Sequence, residues 1–120
     1  MQYTVCFDED TGCLTVRVSG RVDGPSVRAM AEQARHEAEV HHCTRFLDDC
    51  REMESALSTM QIYELPALVR SIGIRPETRH AVVVRSLTPD VRFYENVSVN
   101  RGQIVRVFTD IDEARAWLAR

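Results

Sequence analysis

Ile104-Val105-Arg106-Val107-Phe108-Thr109-Asp110-Ile111-Asp112-Glu113-Ala114-Arg115-Ala116-Trp117-Leu118 reads as a buried strand, a capped turn and a short amphipathic helix. The β-branched run predicts the strand, and Asp110 stands at the N-cap with Glu113 at the third helical position. This is one β/α unit, and the residues before it repeat the pattern. Thr88-Pro89-Asp90 opens another helix, with Val91, Tyr94 and Val97 inward, Phe93 beside them, and Asn100-Arg101-Gly102 at its end. Ala81-Val82-Val83-Val84 is apolar throughout, as a strand in the middle of a parallel sheet is.

Further back, Ser58-Thr59-Met60-Gln61 has capping-box spacing. The helix it starts carries Met60, Tyr63, Leu65, Leu68, Val69 and Ile72, and Gly73 closes it. Pro66 lies inside this helix, where a proline removes a hydrogen bond and bends the axis. Arg45 to Asp49 reads as a short strand that runs into a polar loop, Asp48–Ser58. Pro25 to Val40 is an amphipathic helix, with Val27, Met30, Ala31, Ala34 and Ala38 on one face and Arg28, Glu32, Arg35 and Glu39 on the other. At the start, Gln2–Phe7 and Cys13–Ser19 alternate apolar and polar residues on either side of the Asp8–Gly12 turn, which predicts a β-hairpin.

The order is β-β-α-β-α-β-α-β-α. It predicts a single α/β domain over residues 1–120, an N-terminal hairpin leading into a mainly parallel sheet flanked by helices. A chain of 120 residues buries roughly two-thirds of its unfolded surface, so its core needs neither disulfide nor metal. The net charge of −3 argues against a nucleic-acid partner. No apolar run spans a bilayer, and Met1-Gln2-Tyr3 does not open a signal peptide, so a cytoplasmic protein is expected. All fifteen basic side chains are arginine, which removes Schiff-base lysine chemistry and lysine clamps on phosphate.

Cys6, Cys13, Cys43 and Cys50 form no Cys-x-x-Cys pair. Cys6 and Cys13 stand symmetrically about the hairpin turn and are expected as reduced thiols. His36, His41, His42 and Cys43 cluster at a polar helix end without a second ligand pair, so no metal is expected, and cationic histidines at a helix C-terminus explain them. No cofactor is expected either: Gly-x-Gly-x-x-Gly and Walker loops are missing, as is a Gly-x-Ser-x-Gly elbow.

Ligands of open α/β sheets bind outside the carboxyl ends of the parallel strands. The connections there are Gly20–Ser26, Asp48–Ser58, Arg85–Pro89 and Thr109–Asp110. Asp48 and Asp49 could hold Mg²⁺ beside Ser86 or Thr88 as in a phospho-receiver site, but such a site needs a lysine clamp that this chain lacks. Loop carboxylates accepting backbone N–H bonds are the expected role of both. Ser58 is expected as an N-cap, and Ser55 or Ser58 as a phosphorylation or anion site at a helix start. His80 begins a strand at the opposite end of the sheet, away from these serines, and Tyr63, Phe93, Tyr94 and Trp117 are spaced as core residues.

The element order and the tail pattern Asn100-Arg101-Gly102, Val105-Arg106-Val107-Phe108, Asp110, Glu113-Ala114, Trp117-Leu118 resemble the STAS/SpoIIAA-like family, small bacterial domains related to anti-sigma-factor antagonists and likened to lipid-binding Sec14 domains. The resemblance implies the fold, a non-enzymatic regulatory role, and self-association or docking of a protein. In the antagonists a serine within Asp-Ser-Ser-Gly at a helix start is phosphorylated. The matching region here is Glu54-Ser55-Ala56-Leu57-Ser58-Thr59-Met60, without that signature, and Ser55 and Ser58 are the positional counterparts. Two functions follow as expectations: a regulatory module docking a protein partner, or a domain holding a small apolar molecule or lipid between the Ser58 helix and the sheet. Asp48, Asp49, Met53, Leu57, Met60 and Ile62 form the expected surface for either.

Overall fold

The computed structural model describes all 120 residues. Its elements are β1 (Gln2–Asp8), β2 (Cys13–Val22), α1 (Gly24–Val40), β3 (Arg45–Ser55), α2 (Thr59–Ser71), β4 (Arg79–Val83), α3 (Pro89–Asn100), β5 (Ile104–Phe108) and α4 (Ile111–Leu118). The order is the one read from the sequence. β1 and β2 pair antiparallel from Gln2↔Ser19 to Asp8↔Cys13, and the β2–β3, β3–β4 and β4–β5 pairs are parallel. Spatial order equals chain order, β1-β2-β3-β4-β5. Every crossover therefore steps the same way, and right-handed crossovers then put α1, α2 and α3 on one face.

Side-chain alternation in β4 divides the core accordingly. Val82 and Val84, with Val105 and Val107 of β5, meet Val91 and Tyr94 of α3. Ala81 and Val83, with Leu47 and Phe108, meet Ala114 and Leu118 of α4 on the other face. α1 closes a third cluster with Leu14, Val16, Val18 and Phe46, in which Ala34 is buried and Val27 and Met30 are half-buried. α4 packs against β3, β4 and β5. The β1–β2 half of its face is left to solvent, where Thr4, Cys6 and Arg17 are exposed. No helix is long and apolar enough to cross a membrane.

Two boundaries differ from the sequence reading. β3 does not give way to a loop after Asp49: it continues to Ser55, and β2 continues to Val22 beside it. Between the pairs Arg17↔Asp49 and Ser19↔Glu52, β3 holds one residue more than β2, a β-bulge. The extra residue throws the apolar alternation out of phase, so the second half of the strand looks like a polar loop. Cys6 also does not oppose Cys13, since the register sets Cys6 against Thr15 and Cys13 against Asp8. All four cysteines are free.

Candidate functional site

Each of the four helices follows a parallel strand, so their N-termini gather at the carboxyl end of the sheet. Every one is capped by a side chain: Asp23, Ser58, Thr88 and Asp110 accept from Ser26, Gln61, Val91 and Asp112 backbone N–H groups respectively. At α2 both halves of the capping box are present. Ser58 Oγ accepts from Gln61 N at 3.2 Å, and Gln61 Oε1 accepts from Ser58 N at 2.8 Å. Ser58 is exposed, and so is Ser55 at the last position of β3, opposite Val22. The fully exposed Asp23 is held below the usual carboxylate range, first by the Ser26 backbone N–H and then by the Ser26 hydroxyl.

The expected apolar surface divides in two. Met53 and Leu57 are half-buried and pack on the cluster of Val22 and Ala34. Met60 faces outward, 64% exposed. Ile62 is a correction: it is 4% exposed and belongs to the interior, since it shares the inner stripe of α2 with the fully buried Pro66 four residues on. Tyr63 is also corrected, being 46% exposed on the outer stripe with Met60, and the Arg101 guanidinium lies 4.6 Å from its ring centre. Leu87, in the connection before α3, is 42% exposed at the same end of the sheet. The buried proline was the signal for this phase: choosing the stripe that contains Pro66 as the inner one places Met60 and Tyr63 outside.

Asp48 and Asp49 are strand residues, and adjacent strand positions send them to opposite faces. Neither lies in a loop or caps a helix, but Asp49 does accept a backbone N–H, from Arg51 at 3.3 Å. Asp49 is 8% exposed, and the Arg51 guanidinium holds it in a two-pronged pair, Nε–Oδ1 2.9 Å and Nη2–Oδ2 2.8 Å. That pairing keeps the Asp49 carboxyl below the usual range against the opposing effect of burial. Arg85 in turn donates to the Arg51 carbonyl at 3.0 Å. On the three-helix face, Asp48 Oδ2 lies 3.6 Å from Nδ1 of His80, whose ring meets Phe46 edge-on at 4.9 Å. His80 was legible only as a strand start, because its neighbour Asp48 comes from a different strand.

Burial pushes the Cys50 thiol and the Tyr94 phenol well above their usual ranges, and the Asp48 carboxylate adds to both shifts. Both groups stay protonated at neutral pH, so Cys50 is a packed thiol and not a thiolate nucleophile.

No protein-family model matches the chain, and no curated protein matches it. Among solved structures it is similar to an anti-sigma factor antagonist from Mycobacterium paratuberculosis, with a TM-score of 0.65 and 17% identity over 99% of this chain and 96% of that one. The likeness shows that the chain has the fold of that antagonist, as the resemblance drawn from the sequence implied.

Proposed function

We propose that the chain is a non-enzymatic regulatory module that docks a protein partner through the β3–α2 connection and the first turns of α2. The observation that carries this reading is the outward pair Met60 and Tyr63, 64% and 46% exposed, beside the exposed N-cap Ser58. A surface methionine adapts to many partner shapes, and tyrosine supplies rigid ring area with a polar tip. The shared fold with a protein described as an anti-sigma factor antagonist supports the same reading. Four free cysteines suit work in the reducing cytoplasm.

Ser55 and Ser58 are the proposed points of control. A phosphate on Ser58 would bring about −1.5 to −2 charge to the positive end of α2, in reach of unpaired N–H groups. The same phosphate would displace the hydroxyl that now accepts from Gln61. It would therefore reshape the first turn of the helix that carries Met60 and Tyr63.

Affinity capture from the host, followed by titration of the purified binding protein, tests the docking surface. Met60→Glu and Tyr63→Ala should each weaken binding about tenfold or more, while Gln2→Ala on β1 leaves it unchanged. Equal affinity for all of these chains removes the surface from consideration. A small molecule that co-purifies in native mass spectrometry would favour the ligand-holding alternative instead. Incubation with kinase-active host lysate and mapping of Ser55 and Ser58 tests the control, and an unmodified pair ends that part of the reading.

A further inference from the structure

β5 is the last strand in the sheet, so its outer edge has no strand partner. Val84 N donates to Phe108 O at 2.9 Å, which turns the Phe108 carbonyl toward β4. Strand residues alternate, so Val107 and Val105 direct their N–H and C=O groups outward. The outward N–H of Val107 is not open: it donates to Glu95 Oε2 of α3 at 2.7 Å. The Glu95 side chain is 18% exposed, and Arg92 Nη1 lies 3.6 Å from its other oxygen.

Along this edge runs an open groove of about 520 Å³, walled by Asn96 and Val99 of α3, Val105 and Arg106 of β5 and Trp117 of α4. Val99 in its wall is 53% exposed, and Ile104 at the start of β5 is 41% exposed. A bare strand edge with apolar flanks is a template for pairing with another chain. A two-fold axis would set two β5 strands antiparallel and let these flanks meet their own counterparts.

We propose that Glu95 is the guard of this edge: its carboxylate stands where the carbonyl of an added strand would sit, and so keeps a second copy of the chain from pairing β5 with β5. Glutamate suits the task, because a carboxylate accepts the outward N–H as a neighbouring strand would but offers no strand of its own. The remaining open groups, on Val105 and the Val107 carbonyl, are too few to hold a five-residue strand alone.

Sedimentation velocity over a concentration series of the full chain, with amide exchange read at Val107, tests the assignment. The wild type should sediment as a monomer, with the Val107 amide protected at every concentration. Glu95→Ala should shift to the dimer as concentration rises. Its Val107 amide should exchange about tenfold faster when dilute and regain protection when concentrated. Glu95→Gln keeps an acceptor oxygen and should remain monomeric. Glu95→Asp draws the carboxylate back from the N–H while keeping the charge, and should self-associate even if the alanine variant does not fold. A monomeric, folded Glu95→Asp chain with a fast Val107 amide overturns the proposal. So does a dimer in which the Val107 amide stays unprotected, or a wild type already paired through β5.

Discussion

Replacing Arg79 with methionine tests how the last helix is held. α4 has no glycine after its final turn, so its last carbonyls need other donors. Arg79 supplies them: Nη1 donates to Arg120 O at 2.8 Å and Leu118 O at 3.4 Å, and Nη2 donates to Trp117 O. Its guanidinium carbon also lies 4.2 Å from the Trp117 ring centre. Arg45 Nη1 adds a bond to Leu118 O at 3.4 Å. Methionine keeps most of the aliphatic stem and removes the fork. Hydrogen bonds from a charged donor contribute about 1.5–3 kcal/mol when buried, but these carbonyls can turn to water, so the lower end applies to the set. A partly exposed cation–π contact adds about 0.5–1 kcal/mol. The expected loss is about 2 kcal/mol, or a Tm lowered by roughly 8 °C for a domain of this size. Urea unfolding followed by circular dichroism should show a lower midpoint at unchanged slope, with the amides of α4 gaining the most exchange. Arg79→Lys should recover less than half, since an ammonium cannot reach three carbonyls at once. A methionine variant within about 0.5 kcal/mol of wild type would refute the idea that the guanidinium fastens α4.

Other expectations follow from the same geometry. Trp117→Ala should cost about 2–3 kcal/mol, below the range for a fully buried indole, because the ring is half-buried against Phe108 at 5.8 Å; an unchanged thermal melt contradicts that packing. The depressed Asp49 carboxyl contributes stability that is present above its unfolded value of 3.8 and lost as pH falls through the lower folded value. Asp49→Asn should therefore flatten the acid end of the stability profile, and a profile as steep as wild type would locate the acid sensitivity elsewhere. Iodoacetamide at mildly alkaline pH should label the exposed Cys6 first and the half-buried Cys50, whose thiol stays protonated, far more slowly, as peptide mapping would show; labelling of Cys50 as fast as Cys6 contradicts its raised pKa.

The fold was legible in the sequence because its signals are local. Ser58 with Gln61, Thr88 before Pro89, and Asp110 before Ile111 mark helix starts within four residues, and each does cap in the structure. The bulge in β3 was not legible, since it is defined by the pairing with β2 and leaves only a lapse in alternation. The candidate site was read in part. Ser58 and Met60 fall on the exposed start of α2, whereas Ile62 and Tyr63 exchange places because, in a stripe of Met, Ile and Tyr, only Pro66 four residues after Ile62 marks the inner side. Glu95 gave no signal at all. Its partner is a backbone N–H twelve residues on, and any helical glutamate looks like a solvated charge until the strand edge beside it is seen.

The two-sided arrangement of helices also sets an order on folding. Five strands and three helices precede residue 111, and all three of those helices cover the same face. In any folding intermediate whose strands have paired before α4 docks, the opposite face, with Leu47, Ala81, Val83 and Phe108, has nothing to close it until Ala114 and Leu118 arrive. Such an intermediate presents an apolar surface to its neighbours. Eight residues, Ile111–Leu118, decide when the folding molecule stops being sticky.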